Sequence, residues 1–330
     1  MTRFTGRALA GATVAAGLTL SLVACGGGSG GKVSADSSGL LPLKVGYTAA
    51  GAGYSDLYDG VEQGIFRKHG LNVSLVRLNT SAQLVAGLAS NSVQIGVGVA
   101  ADSAAAIMKG AKLEFIAMSE PTYNLEMWAS PSVRTINDLK GKKVALTSPN
   151  SEGDFGLTAL LSEHGMSRDD VQTEYVQSAA AEVAALDSGA VQAILTQPPQ
   201  GTSTRQKGAH RLASLANLPF PLGTYTVESS YLAANRNLVK KFVAAEAEAL
   251  QYLPTHPTQT VAAIKKYTGE QDASLDKYAY QFFLQVWAKT PAINEDLIKQ
   301  GFAEAAKKSK KTAPSDISQY IDNTLYTPSS

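Results

Sequence analysis

The chain has 330 residues, with 29 lysines and arginines against 28 aspartates and glutamates, and a formal net charge of +1. This balance excludes nucleic acid as an expected partner, because nucleic-acid-binding proteins present a strongly basic face. The single cysteine excludes an intrachain disulfide. After removal of an export signal about 300 residues would remain, which is enough for two domains with a sizeable core.

The first 24 residues are typical of a secretory signal peptide. A basic start with Arg3 and Arg7 precedes an apolar or small stretch over 8–23, which is too short and too broken for a membrane span. The Leu-Val-Ala-Cys sequence that ends at Cys25 resembles the bacterial lipobox. This resemblance implies cleavage before Cys25, a diacylglyceryl group on its sulfur and an anchor on the extracytoplasmic side of the cell membrane. An ordinary cleaved signal with a chance cysteine is the alternative.

An internal repeat predicts two similar halves. The segment 85–94 returns at 183–192 with matching Val, Ala, Leu, Ser, Val and Gln, and a helix that ends in His-Gly lies upstream of each copy. Each copy predicts a strand, a helix, a second strand, a short helix capped by Thr80 or Ser178, and a third strand. This alternation implies parallel sheets covered by helices on both faces. The predicted strands are 43–48, 73–78 and 93–97 in the first copy, and 143–148, 171–176 and 191–195 in the second.

The remaining segments are predicted from apolar periodicity and from Pro and Gly breaks. Between and after the two copies, strands are expected at 113–118, 125–129 and 211–215, and a return path is expected at 224–227 and 231–234. From residue 238 onward the chain is predicted to be helical, at 238–253, 257–267, 273–288 and 294–308. An aromatic stripe in the third of these helices, which includes Tyr278 and Phe282, predicts core packing.

Several segments together resemble the solute-binding proteins of ABC importers, in the branch that binds nitrate, aliphatic sulfonates, taurine and thiamine-type pyrimidines. They are Leu43 to Tyr47, Gly60 to Gly70, Leu84 to Val97, Ile136 to Ala145 and Tyr231 to Asn235. The resemblance implies a two-lobed α/β periplasmic-binding-protein type II fold, each lobe a mostly parallel sheet flanked by helices, with a helical C-terminal extension. It also implies a small-molecule ligand in a cleft between hinged lobes, an ABC permease and its ATPase subunits as partners, a monomer, no cofactor and no enzymatic activity.

The predicted organisation has four parts. Residues 1–24 form the signal peptide, and residues 25–39, rich in Gly and Ser, form a flexible tether. The family fold implies a discontinuous lobe I, 40–128 plus 229–330, and a continuous lobe II, 129–228.

Open parallel sheets bind ligands beyond the carboxyl ends of their strands, so the loops at those ends are the candidate site. Helix starts there offer free backbone N–H groups, and hydroxyl and amide side chains offer adaptable hydrogen bonds. Thr80 and Ser151 have the alternative role of helix caps only, and Tyr54 and Tyr123 either stack on a ligand ring or shield the hinge. The candidate ligand-binding residues are Tyr54, Thr80, Ser81, Ala100, Tyr123, Ser148, Ser151, Thr196 and Gln197.

The charge of these loops favours one class of ligand. They carry several carboxylates and no lysine or arginine, and Arg77 is the nearest candidate cation along the chain. A strongly anionic ligand would need a basic partner. A neutral or cationic, partly aromatic nitrogen heterocycle is therefore favoured over a sulfonate, taurine or nitrate. The acidic residues are Asp56, Asp59, Asp102, Glu120, Glu152 and Asp154.

Patterns for catalysis are weak. A Gly-x-Ser-x-Gly match at 27–31 lies in the predicted tether, and a loose dinucleotide pattern at 96–101 follows the third strand of its lobe instead of the first. The four histidines show no metal-ligand spacing. The alternative of another class is an exported enzyme on the same frame, similar to a pyrimidine-precursor synthase. Such a synthase uses an iron site rich in histidine and cysteine, which a lone Cys25 does not supply.

Overall fold

Two five-stranded sheets organise the computed structural model, which describes residues 31–327. In chain order the strands of this part of the chain are β1 (Leu41–Tyr47), β2 (Leu71–Arg77), β3 (Ile95–Gly98), β4 (Leu113–Thr122), β5 (Glu126–Ala129), β6 (Lys143–Leu146), β7 (Gln172–Tyr175), β8 (Ala193–Thr196), β9 (His210–Ser214) and β10 (Pro219–Glu228). The first sheet has the order β2-β1-β3-β10-β4 and the second has the order β7-β6-β8-β5-β9. The predicted signal peptide and Cys25 lie outside the described residues.

Helices cover both sheets. They are α1 (Ser55–Glu62), α2 (Ile65–Lys68), α3 (Ser81–Ala89), α4 (Ala100–Ile107), α5 (Glu152–Glu163), α6 (Ala179–Asp187), α7 (Ser229–Tyr252), α8 (Pro257–Thr268), α9 (Ala273–Phe283) and α10 (Glu295–Ser309). Within residues 31–327, none of them is both long enough and apolar enough to cross a bilayer.

The repeat predicted from the sequence is visible in the strand order. In the first half β1 pairs in parallel with β2 and β3, and in the second half β6 pairs in parallel with β7 and β8. One antiparallel strand then joins each parallel set, β10 in the first sheet and β5 in the second. The prediction of two similar α/β halves is confirmed.

The change of sheet does not fall at the predicted lobe boundaries. Strand β5 pairs with β8 and β9, whereas β10 pairs with β3 and β4. The chain therefore leaves the first sheet at 123–125 and returns to it at 215–218, and the expected changes at 128/129 and 228/229 are wrong. The reason is the long antiparallel pairing of β4 with β10, which keeps residues 219–228 in the first sheet.

The return path expected at 231–234 is also wrong, because these residues lie in α7, after the chain has already returned to the first sheet. The carboxylate of Glu228 accepts hydrogen bonds from the backbone N–H groups of Ser230 and Tyr231 at 2.8 and 3.1 Å. A carboxylate that accepts from first-turn amides stabilises a helix start. The apolar pattern at Tyr231 and Leu232 is a buried face of this helix, since both side chains are 2% exposed.

The described part of the expected tether is attached to the first half. The N–H of Val33 donates to Asn235 Oδ1 at 2.8 Å, and Asn235 Nδ2 donates to the carbonyl of Gly31 at 3.2 Å. Asn72 Nδ2 donates to Asp36 at 2.8 Å. Residues 31–36 therefore contact the first half through a buried and a half-buried amide side chain, and the flexibility of the tether stays a prediction.

Each half has its own apolar core. Leu43, Val45 and Ile95 from the strands of the first sheet pack against Phe242 of α7, and Met127, Leu146 and Leu195 pack against Leu157 of α5 in the second half. Helices α8 and α9 form a further apolar cluster with α7 and with Ala52 in the turn after β1. The predicted stripe is buried at Phe282, Phe283, Val286 and Trp287, of which the last two follow the end of α9, and Tyr278 is half-buried.

Tyr278 forms a contact between the two halves. Its hydroxyl, on α9, donates to the fully buried carboxylate of Glu126 on β5, at 2.7 and 2.8 Å to the two oxygens. The same carboxylate accepts from Arg211 Nη1 at 2.9 Å and from Trp128 Nε1 at 3.2 Å. The Arg205 guanidinium lies 4.9 Å from the centre of the Trp128 ring and 5.3 Å from that of Tyr278. The C-terminal helices therefore link the first half to the second sheet.

We expect Tyr278→Phe to lower the free energy of unfolding by about 1.5–3 kcal/mol, since a buried carboxylate loses a donor. Tyr175→Phe is the matched control, because Tyr175 donates to Asp154 at 2.9 Å but is 40% exposed. Urea denaturation of both variants measures the difference. Equal losses would show that the contact between the halves stabilises no more than a surface hydrogen bond.

Candidate ligand-binding site

A cavity of about 640 Å³ lies between the two halves. Its walls are the loop 48–54 after β1, Gly98 and Val99 at the end of β3, the loop 197–203 after β8, and residues 268–276, which form the turn between α8 and α9 and the start of α9. The first three follow the carboxyl ends of parallel strands, as expected for an open α/β sheet. The fourth comes from the C-terminal helices, which close one end of the cleft.

Two carboxyl groups and two amides meet in this cavity. Glu120, on β4, is 4% exposed, and its Oε2 accepts from Asn124 Nδ2 at 2.9 Å. Glu152, at the start of α5, lies on the other side of the cleft, and its Oε2 is 3.5 Å from Gln197 Nε2. Glu152 Oε1 and Asn124 Oδ1 are buried and have no hydrogen-bond partner in the described part of the chain. These free acceptors are available to a ligand that carries N–H or O–H donors.

Burial controls the protonation of both carboxyl groups. It raises the pKa of Glu120 to about 8, with further increases from the charges of Asp56 and Glu152, while the Asn124 hydrogen bond opposes the shift. Burial likewise raises the pKa of Glu152 to about 7. Glu120 is therefore mostly protonated at neutral pH, and Glu152 is close to half-protonated.

Two glycines make room for Glu120. A Cβ atom on Gly53 would lie 2.5 Å from Glu120 Oε1, and one on Gly223 would lie 2.7 Å from the Glu120 backbone nitrogen. Gly223 also has a φ of +52°, a conformation that glycine adopts at little cost. At Gly53 the backbone therefore lies closer to the Glu120 carboxyl group than a residue with a Cβ atom would permit, and at Gly223 it lies similarly close to the Glu120 backbone.

The described lining of the cavity is acidic. It contains Glu120, Glu152, Glu270 and Asp276, and it contains no lysine, arginine or histidine. Arg77, the cation nearest to these loops along the sequence, is exposed and does not line the cavity. Within residues 31–327, no group of three or more His, Cys, Asp or Glu side chains is arranged to hold a metal ion.

Three of the predicted ligand-binding residues, Tyr54, Ser81 and Gln197, line the cavity. The Tyr54 hydroxyl lies 3.3 Å from Thr48 Oγ1, and burial raises its pKa to about 12. Ser81 Oγ donates to Asp102 at 2.5 Å. Direct ligand contact by these residues stays a prediction.

The other six predicted residues do not line the cavity. Thr80 and Ser151 accept hydrogen bonds from the amides of Gln83 and Asp154 at 3.1 and 3.3 Å, which is the cap role left open above. Ser151 also lines a small side pocket of about 130 Å³ that shares Glu152 with the cavity. Tyr123 is 2% exposed and stacks on Phe220, with ring centres 4.1 Å apart, near the crossing between the halves. Ala100 and Thr196 are buried, and Ser148 is exposed.

Sequence reasoning missed the contribution of the C-terminal helices. Asp276, Ala279 and Phe283 line the cavity from α9, and Glu270 lines it from the preceding turn. None of them follows a strand, so the strand-end rule could not find them. The glycine stop at Gly269 and the cap at Asp272 are sequence signals for the turn, but not for its position over the cleft.

Comparison with known proteins agrees with this architecture. A Brucella abortus protein named as a candidate binding protein is 27% identical over 246 residues, which make up 72% of this chain and 75% of that protein. The periplasmic aliphatic sulphonate binding protein SsuA from Escherichia coli aligns with a TM-score of 0.68 at 20% identity, over 82% of this chain and 92% of that one. A DszB variant in complex with biphenyl-2-sulfinic acid aligns with a TM-score of 0.63 at 14% identity, over 86% and 97%.

At these identities the two structures establish the fold alone, and the fold is the predicted two-lobed α/β fold of periplasmic binding proteins. A family model described as NMT1/THI5 like matches residues 53–260, which is more than half of the chain. The chain therefore belongs to the NMT1/THI5-like family.

Proposed function

We propose that this chain is the extracytoplasmic solute-binding component of an ABC importer, and that it binds a cationic or neutral nitrogen heterocycle in its cleft. The observation that carries the choice of ligand is the pair Glu120 and Glu152 in a cavity whose described lining has no basic residue. The family match and the relative named as a candidate binding protein support the general role.

The chemistry of the two carboxyl groups favours nitrogen ligands. An ionised carboxylate forms short, charge-assisted hydrogen bonds with a cationic N–H group. A protonated Glu120 can instead donate to a neutral ring nitrogen, since a carboxylic acid has one O–H donor. A sulfonate, taurine or nitrate ion would face two carboxyl groups with no counter-charge. Anionic ligands are the alternative class. They are included in the titrations because this chain shares its fold with a sulphonate-binding protein.

The expected partners follow from the same role. An ABC permease with its ATPase subunits would receive the solute from the closed lobes, and lipid on Cys25 would hold the monomeric binding protein at the membrane. We also propose that binding occurs without turnover. The DszB variant has a similar fold, so an enzyme is the alternative that the experiment must separate.

Isothermal titration at pH 8 tests the ligand class, with benzamidine and 4-aminopyrimidine against taurine and ethanesulfonate. We expect binding of the nitrogen compounds only, and we expect Glu120→Gln to weaken binding of benzamidine at least tenfold because a buried carboxylate loses its charge. Glu163→Gln, at the exposed end of α5, is the matched control and should leave the affinity unchanged. Selective binding of a sulfonate would contradict the proposal, and recovery of a chemically altered ligand would favour the enzyme alternative.

The raised pKa values of Glu120 and Glu152, about 8 and about 7, predict proton release when a cation binds at pH 7. Both groups bind the cation best when ionised, so the affinity should rise between pH 6 and pH 9 and then level off. Titrations in two buffers of different ionisation enthalpy measure the protons released, and we expect about 1.4 protons per bound cation at pH 7 if both carboxyl groups ionise. Proton uptake, or an affinity independent of pH, would be inconsistent with a carboxylate site.

The same burial predicts a stability difference for the ligand-free protein. Because the folded pKa of Glu120 exceeds the unfolded value of 4.5, the folded state holds a proton that the unfolded state releases, and stability falls as the pH rises from about 4.5 to about 8. Glu120→Gln should therefore raise the Tm by several degrees at pH 8 and change it little at pH 4.5. Thermal melts at the two pH values measure this. An equal Tm shift at both would show that the gain does not come from ionisation.

A further inference from the structure

The end of the cavity formed by the α8–α9 turn holds a further buried carboxyl group, in addition to those of Glu120 and Glu152. Asp276 is 2% exposed and lines the cavity, and its Oδ2 atom is buried without a hydrogen-bond partner in the described part of the chain. Lys265 of α8 acts on it electrostatically, but no Asp276 salt bridge within 4.0 Å exists among residues 31–327. Burial raises the pKa of this carboxyl group.

Stabilisation of the start of α9 does not explain why Asp276, an acidic residue in the first turn of that helix, is buried. Asp272 already caps α9, since its Oδ1 accepts from the N–H of Ser274 at 2.8 Å. A carboxylate in the first turn also interacts favourably with the helix dipole, but that effect needs no burial. Asp296 is also in the first turn of its helix, as the second residue of α10, and its side chain is 89% exposed. A buried carboxyl group without a donor is costly unless a ligand supplies one.

Helix α9 relates the positions of the two acidic parts of the cavity. Asp276, Ala279 and Phe283 lie on its cavity-facing side, and seven residues of α-helix span about 10 Å. Beyond Phe283, Trp287 Nε1 donates to the carbonyl of Gly53 at 3.3 Å, and Gly53 is the residue that lies against the Glu120 carboxyl. Glu120 therefore lies near the C-terminal end of α9 and Asp276 lies in its first turn, so the two carboxyl groups occupy separate places along the cavity.

Between these two places the lining is apolar near Asp276, with Ile264, Leu275, Ala279 and Phe283. Such a surface suits methylene groups or a ring. The geometry points to a ligand with two nitrogen cations, one at Glu120 and Glu152 and the other at Asp276, joined by a short apolar spacer. This inference rests on the proposed function, because it specifies a ligand for the same cleft.

Matched mono- and dications of one length test this assignment. By isothermal titration at pH 8, we expect 1,5-diaminopentane to bind the full chain at least tenfold more tightly than 1-aminopentane. Asp276→Asn should lower the affinity for the diamine at least tenfold and change the affinity for the monoamine less than twofold. Asp296→Asn, which removes an exposed first-turn carboxylate, should change neither.

A series of α,ω-diamines with two to eight methylene groups tests the spacing on the unmodified protein, and it does not depend on the folding of any variant. We expect the affinity to pass through a maximum within the series. Equal binding of monoamines and diamines, with no maximum, would overturn the second subsite and leave the proposed function standing. Binding of sulfonates without binding of any amine would overturn both.

Discussion

The antiparallel pairing of β4 with β10 is the constraint on which the rest of the structure depends. In chain order, β4 is the last strand of the first sheet before the second half, and β10 is the first strand of that sheet after it. The chain therefore crosses to the second half after β4 and returns just before β10. Their register sets Glu120 opposite Leu222, beside Gly223. The buried carboxyl group therefore lies on the β4–β10 pair, next to the segments about which the halves of such folds move. A ligand that contacts Glu120 and Glu152 contacts one group from each half.

The cleft retains groups that cost stability in the empty protein. Glu120, Glu152 and Asp276 are carboxyl groups removed from water without a basic partner in the cavity, and two of them have buried oxygens that accept no hydrogen bond within residues 31–327. An apolar lining would give a more stable fold. Unsatisfied polar groups of this kind cluster at functional sites, where a ligand supplies the missing partner. The contact of Tyr278 with Glu126 differs, because that buried carboxylate is satisfied within the protein by three donors.

How far the sequence could predict the site depended on which elements form it. The strand-end rule identified the loops around Tyr54, Ser81 and Gln197 and the acidic character of the cleft, because parallel strands place their carboxyl ends together. It could not separate a cap from a ligand contact at Thr80 or Ser151, since a hydroxyl at a helix start suits both roles. It missed Asp276, which reaches the cleft through a helix pair.

The sequence alone determined the class of fold, the two repeated halves and the excess of acidic over basic residues near the cleft. These follow from local patterns, namely apolar periodicity, helix caps and stops, and residue composition. Only the tertiary structure decided where the chain changes sheet, how residues 31–39 attach to Asn235, and which carboxyl groups lose water. Those features depend on contacts between residues far apart in the chain, and burial, which raises the pKa of Glu120, exists only once the two halves and the C-terminal helices enclose the cavity.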